Sequence, residues 1–289
     1  MPSVAHTALV TGATDGIGLH TARRLASSGV SVICHGRDAA RVAQAVKQVQ
    51  SFAVGGAQVF GATHDLASLA GVAALADDVL STAHGTSIDM LFNNAGVFMK
   101  SREETCDGFE MTFAVNVLAP YALTGALLPT LTSNARASGI KSRILNVASI
   151  SASPRIDFEN ISQQPRFSSH GSYSLSKACV KAFSYELFDR LSDDSYDATT
   201  TSDLSIFSCD PGTVNTKMLL AGWGACGIET YEANDQFNIM VGDYERNDAQ
   251  FNGAYFVSSR PRQRASVPGD AEQARLWKIC EDATGLVYV

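Results

Sequence analysis

The segment SYSLSKACVKAF, which starts at Ser172, sets Tyr173 and Lys177 four residues apart in a stretch with helical periodicity. Residues at that spacing share one helix face, so an ammonium can stand beside the surroundings of a phenol. In bulk water such a pair is worth only about 1 kcal/mol, the size of an ordinary solvated contact. Proton exchange near neutral pH asks for more, because bringing a phenol from a pKa of about 10 to about 7 takes roughly 4 kcal/mol of preferential phenolate stabilisation. A cation in a partly desolvated cleft supplies energy of that order. Two more polar residues are expected in the same cleft, Ser149 at the end of RILNVAS and Asn116 in FAVNVL. A phenol, an ammonium, a hydroxyl and an amide together can move a proton to or from a substrate oxygen.

Those side chains must be carried by regular elements. TALVTG, the helical IGLHTARRLASSG and VSVICHG make a βαβ unit, and apolar runs keep alternating with helical stretches through AQVFGATHDL, IDMLFNNAG, SRILNVASI and DLSIFSCDPG. A helix is expected over roughly 67 to 83 and a longer one through FAVNVLAPYALTGALLP. The alternation predicts an α/β fold: one doubly wound, Rossmann-type domain over 1–289, its parallel sheet covered by helices on both faces. Ligands of such sheets bind beyond the carboxyl ends of the strands, where the distinctive residues fall. Segments 151–171 and 219–270 break the rhythm and read as loop-rich flaps, with the substrate flap at 213–250 and a C-terminal extension at 251–289. In that extension Ala274, Leu276, Trp277, Ile279 and Cys280 predict the apolar face of a short helix that packs on the body or roofs the pocket.

TGATDGIG places Gly12, Gly16 and Gly18, with Asp15 and Ile17 among them, between a strand and a helix. Such a turn lets backbone N–H groups approach a pyrophosphate, although by itself it also fits a plain tight turn. The second strand then ends in Gly36 and Arg37 rather than in an acidic residue. Arginine pairs with a 2′-phosphate in forked geometry, so NADP(H) is expected over NAD(H). Asp38 and Asp15 add negative charge nearby, and Arg37 alone also fits an exposed residue at a helix start.

In TGATDGIG, NNAG, Asn116, Ser149 and YSLSK, taken in that order over nearly the whole chain, the sequence resembles the short-chain dehydrogenase/reductase family. The resemblance implies that Tyr173 is the acid/base, that Lys177 lowers its pKa and holds the nicotinamide ribose, and that Ser149 bonds the reacting oxygen. It implies that Asn116 supports a water relaying protons through Lys177, and that no metal takes part. Asp65 and Leu66 are implied as adenine contacts, and Asn94, Ala95 and Gly96 as the adenosine-side floor. Pro211, Gly212, Val214 and Thr216 are implied as the nicotinamide clamp. The gap between Ser149 and Tyr173 and the ending GAYFVSSRPRQRASVPGDAEQARLWKICEDATGL look like the retinol dehydrogenase and WW-domain oxidoreductase branch. Ala148 and LAPY depart from that branch, which usually has a second serine and a different segment there.

Composition narrows the partners. The net charge is −7 with the basic residues scattered, which argues against a nucleic-acid interface, while the family resemblance implies a small-molecule carbonyl or alcohol substrate, expected to be apolar. Six cysteines without a CxxC pair read as buried, reduced thiols in the cytoplasm. Neither a leader nor a run of about 18 apolar residues is expected, so no integral membrane segment is predicted. Exposed faces of the long helices before Leu131 and after Tyr173 offer a surface for a homo-oligomer. Two rival readings remain beside the oxidoreductase: a non-catalytic NADP(H)-sensing regulator on the same fold, and a sugar-nucleotide epimerase, which needs a larger C-terminal domain.

Overall fold

Apolar runs become strands buried on both faces: β1 (Thr7–Val10), β2 (Ser31–Gly36), then, after the more exposed β3 (Val59–Thr63), β4 (Met90–Asn93), β5 (Ser142–Val147) and β6 (Leu204–Asp210). The computed structural model describes residues 6–81, 88–192, 203–241, 251–262 and 268–289. The sheet has eight strands in the order β3-β2-β1-β4-β5-β6-β7-β8, with β7 at Tyr255–Val257 and β8 at Arg260–Arg262. All pairings are parallel except β7 with β8. The chain builds outward from β1 to β3 and then returns to the other side of β1 with β4. That reversal is the switch point at which open α/β sheets bind their ligands.

Successive strand residues point to opposite faces and fill two cores. Leu9, Ile33, Leu91, Ile144 and Ile206 face one core, and Val10, Val32, Phe92, Leu145 and Phe207 face the other. The expectation of buried thiols is met at Cys34, Cys179, Cys209 and Cys280 and not at the exposed Cys106 and Cys226. Helices α1 (Gly16–Ser27), α2 (Ala39–Gln50) and α3 (Leu69–Leu80) start at side-chain caps from Asp15, Asp38 and Ser68. Helix α3 lies inside the expected 67 to 83. Helix α4 spans Met111–Ser138 and α5 spans Ser169–Ser192. Among the described residues α4 is the one helix long and apolar enough to cross a membrane, yet 83% of that window is buried inside the fold. It serves here as the central core helix.

The stretch 219–270 holds more regular structure than a loop-rich flap. Helix α6 (Lys217–Gly222) runs into it, and α7 (Asp235–Val241), β7 and β8 follow. The β7–β8 hairpin reverses through Ser258 and Ser259 at φ of 52° and 53°. Left-handed pairs of this kind normally announce themselves as Asn-Gly, and a serine pair gives no such signal. Changing Ser258 alone to Asn, which keeps the bond from the Ser259 hydroxyl to Asp235, should remove about 1 kcal/mol of backbone strain and raise Tm by about 2 °C, measured by calorimetry.

Helix α8 (Asp270–Thr284) packs on the body and contributes nothing to the pocket lining. Leu276, Trp277 and Cys280 are buried as expected, but Ala274 is exposed and Gln273 takes the remaining buried position, donating to Pro268 O. The chain end then crosses α4. A Cβ at Gly125 would lie 2.5 Å from the ring of Tyr288, so only glycine admits that crossing. The helix faces expected to be free for pairing are therefore partly covered by the chain's own C-terminus.

Candidate active site

The switch point is assembled around Thr11 at the end of β1. Its hydroxyl donates to Phe92 O at 3.0 Å and accepts from the N–H groups of Asn94 and Ala95, each at 3.0 Å. A Cβ on Gly18 would stand 2.5 Å from both Gly12 O and Asn94 Nδ2, so the first turn of α1 can approach the strand ends this closely only at a glycine. Asn94 Nδ2 donates to Thr11 O at 2.8 Å, and its Oδ1 accepts from Gln236 Nε2 at 2.8 Å. Its side chain therefore braces strand ends, and the floor expected of Asn94, Ala95 and Gly96 is left mainly to backbone. Gln236, on α7 and fully buried, also accepts from the Thr21 hydroxyl and fastens α7 to α1. No local motif marked Gln236, because its role comes from a contact across the fold.

His35 locks the same turn from below. Its Nδ1 accepts from Gly12 N at 3.4 Å and its Nε2 donates to His64 O at 3.0 Å, the tautomer these backbone partners require. Burial holds its pKa down at about 4. The unfolded histidine titrates at about 6.5, so the unfolded chain binds the extra proton first as pH falls. This contribution of about 3 kcal/mol is whole above pH 6.5 and lost progressively toward pH 4. Tm measured against pH should fall across that window, and His35→Gln should flatten the slope.

At the second strand end, Asp38 turns away to cap α2, accepting from Arg41 N at 2.9 Å. Arg37 therefore lines the cavity without that carboxylate beside it as a ribose partner. Arg41, which the sequence reading passed over, lines it too, one helical turn beyond Arg37. Asp15 caps α1 through Gly16 N at 2.8 Å, and its Oδ2 accepts from Arg41 Nη2 at 3.2 Å and Lys217 Nζ at 2.5 Å. Burial pushes the Asp15 carboxyl up, but the bonds from Lys217 and Gly16 and the nearby cations outweigh it and hold it below its usual value. The negative charge expected near a phosphate is thus already matched by two cations.

Tyr173, Ser176 and Lys177 project from α5. Ser149, just past β5, hydrogen-bonds the Tyr173 phenol. Lys177 is buried, donates to Val147 O at 2.7 Å, and lies 5.6 Å from the Tyr173 ring centroid. Burial brings its pKa down to about 8. The phenol is not lowered in this arrangement. Burial and then the Asp210 charge push Tyr173 up to about 12, with Ser149 opposing them. Asp210 is held in place by Ile150 N at 2.7 Å and Gly212 N at 2.8 Å. The phenol therefore keeps its proton at neutral pH, the state of an acid ready to donate.

Asn116 sits in a π-helical segment, Ala114–Leu118, of a kind that often marks functional sites. Its Oδ1 accepts from Val97 N at 2.8 Å, and its Nδ2 donates to Val97 O at 3.1 Å and Ser176 Oγ at 3.0 Å. It is buried and does not line the cavity, and its side chain braces Val97 against α5. Glu110 was not anticipated. Its carboxylate caps α4 through Thr112 N and Phe113 N and accepts from Ser172 Oγ at 3.2 Å, tying α4 to the start of α5.

One cavity of about 530 Å³ connects these parts, from Arg37 and Arg41 past the glycine turn to Tyr173. Every cofactor-side residue expected from the sequence, from Gly12 to Thr216, lines it, as do Ser149 and Lys177. The glycine turn at a helix N-terminus, the cationic end and the proton-bearing end fit a nicotinamide dinucleotide laid along the cavity. Residues 6–221 match the family model described as short chain dehydrogenase. The chain belongs to the short-chain dehydrogenase family.

This short-chain dehydrogenase is 35% identical over 227 residues to polyprenol dehydrogenase of Mus musculus, covering 77% of this chain and 64% of that protein. It is 36% identical over 212 residues to retinol dehydrogenase 11 of the same organism, covering 73% and 62%. The match thus spans less than two thirds of either relative's length. The fold is also that of 3-ketoacyl-(acyl-carrier-protein) reductase from Brucella melitensis, solved with NADH, at TM-score 0.65 and 21% identity over 88% of this chain and 96% of that one. Likeness to the retinol dehydrogenase branch, expected from the sequence, stands among these curated relatives.

Proposed function

We propose that the protein is an NADP(H)-dependent oxidoreductase that interconverts an apolar carbonyl compound and its alcohol. The observation that carries this is the joining of the Tyr173–Ser149 hydrogen bond and buried Lys177, in one cavity, to a distal end bearing Arg37 and Arg41. Arg37 and Arg41 would hold the 2′-phosphate, the turn from Gly12 to Gly18 the pyrophosphate, and Pro211 to Thr216 the nicotinamide end. The nicotinamide, when bound, supplies or accepts the hydride. Ser149 orients the substrate oxygen and Tyr173 gives it a proton, which is favourable because an alkoxide is a stronger base than a phenolate. A protonated phenol suits the reducing direction. Val97, Ile150, Met218 and Leu219 make the substrate end apolar, in keeping with the apolar alcohols named in the relatives.

Cofactor choice is tested by titrating NADPH and NADH separately. NADPH should bind about tenfold to a hundredfold more tightly, the effect of one charge-assisted phosphate contact of about 1.5 to 3 kcal/mol. Arg37→Ala and Arg41→Ala should each reduce the gap, and the double variant should nearly close it. Equal affinities in the unaltered protein would remove the NADP(H) assignment while leaving the oxidoreductase reading to stand or fall on turnover.

A further inference from the structure

Beside Tyr173, Trp223 lines the substrate end, and it is packed in a group of aromatic rings drawn from three separate segments. Phe98 follows the NNAG turn, His170 lies one helical turn before Tyr173, and Trp223 follows α6. Their centroids are 5.2 Å apart for Phe98 and His170, 4.9 Å for Phe98 and Trp223, and 4.9 Å for His170 and Trp223. Tyr173 joins the group, 5.8 Å from Phe98 and 5.5 Å from Trp223. Two contacts fix the end of α6 against this group. His170 Nε2 donates to Gly222 O at 3.2 Å, and a Cβ on Gly222 would press on Phe98 at 3.2 Å.

Trp223 is thus held by three rings and still leaves 38% of its surface exposed, while lining the cavity beside Ile150, Met218 and Leu219. An indole held by three rings and contributing surface to the cavity is preorganised, so a ligand meets it without the entropy cost of ordering it. Aromatic faces favour other flat π systems over saturated groups of equal size. Phe98, His170 and Trp223 do not take part in the proton transfer described above.

We infer that Trp223, seated on Phe98 and His170, is the specificity-determining surface of the site and selects carbonyl or alcohol substrates with a flat aryl or conjugated group next to the reacting carbon. This rests on the oxidoreductase reading and adds the substrate class. The test compares benzaldehyde with cyclohexanecarbaldehyde, rings of similar size that differ in planarity. For the unaltered protein kcat/KM should favour benzaldehyde by about threefold to tenfold, the range of one good aromatic contact. Trp223→Leu keeps apolar bulk and should bring the ratio to within about twofold, with NADPH affinity unchanged as the check on folding. Absence of a preference, or a preference that survives Trp223→Leu, would overturn the inference. If neither aldehyde is reduced, quenching of Trp223 fluorescence by benzyl alcohol and by cyclohexylmethanol decides it, since Trp277 is buried. Tighter benzyl alcohol binding would then uphold the aromatic surface and equal binding would sink it, while the oxidoreductase reading is decided separately by turnover of other carbonyl substrates. Turnover without discrimination would sink the aromatic surface alone.

Discussion

Tyr173→Phe is expected to lower kcat by about a hundredfold to ten-thousandfold, the range for removing a positioned general acid. The substitution deletes one hydroxyl and keeps a ring that can still pack on Phe98 and Trp223. NADPH affinity should therefore stay within about twofold, so that the loss appears in kcat rather than in binding. Lys177→Met should be more damaging. It removes the ammonium that donates to Val147 O and that would hold the cofactor ribose, so turnover and NADPH affinity should fall together. A Tyr173→Phe variant with near-normal turnover would make the tyrosine structural and favour a dinucleotide-sensing regulator.

Trp277→Ala should be the most destabilising single change outside the site. Trp277 is 1% exposed, with ring centroids 5.0 Å from Tyr121, 5.2 Å from Tyr288 and 6.0 Å from Phe183. Its Nε1 donates to Glu281 at 3.0 Å, and the Arg190 guanidinium lies 4.7 Å from its ring. Emptying a pocket of this size costs about 3 to 5 kcal/mol, or about 6 to 10 °C in Tm for a chain this long. The loss should reach the active-site side as well. Glu272 on the same helix accepts from Ile156 N at 3.2 Å, and Arg275 covers Phe158 at 4.2 Å, bracing the segment that follows Ser149. Phe52→Ala, at an exposed aromatic, serves as the control and should shift Tm by less than about 1 °C. Equal shifts in the two variants would contradict the anchoring role of the C-terminal helix.

The fold was legible where local chemistry and global position agree. Buried strands such as LFN and ILNV read as continuous apolar runs, and the residues at their carboxyl ends carry the ligand chemistry by geometry alone. What could not be read depends on partners distant in sequence. The phenol of Tyr173 is pushed up partly by Asp210, and Lys177 is drawn to Val147 O, so spacing on one helix could not forecast their protonation. Asp38 looked like a competitor for a ribose but serves its own helix as a cap. The side-chain amide of Asn116 is taken up by Val97 and Ser176, partners that no local motif announces. The β7–β8 hairpin escaped notice because its strands are three residues long and its turn is Ser-Ser. Gln273, a polar residue at a buried helix position, departs from the apolar pattern because Pro268 O satisfies it.

The central claim is that this cavity moves hydride between a nicotinamide dinucleotide and a carbonyl carbon while Tyr173 supplies the proton. Its most direct test incubates the protein with benzaldehyde and NADPH carrying deuterium at both C4 positions, and reads the alcohol by mass spectrometry. The account predicts one deuterium at the carbinol carbon from the unaltered protein and almost no product from Tyr173→Phe. No nicotinamide consumption with benzaldehyde or with a range of other aldehydes and ketones, or an alcohol formed without deuterium, would contradict it.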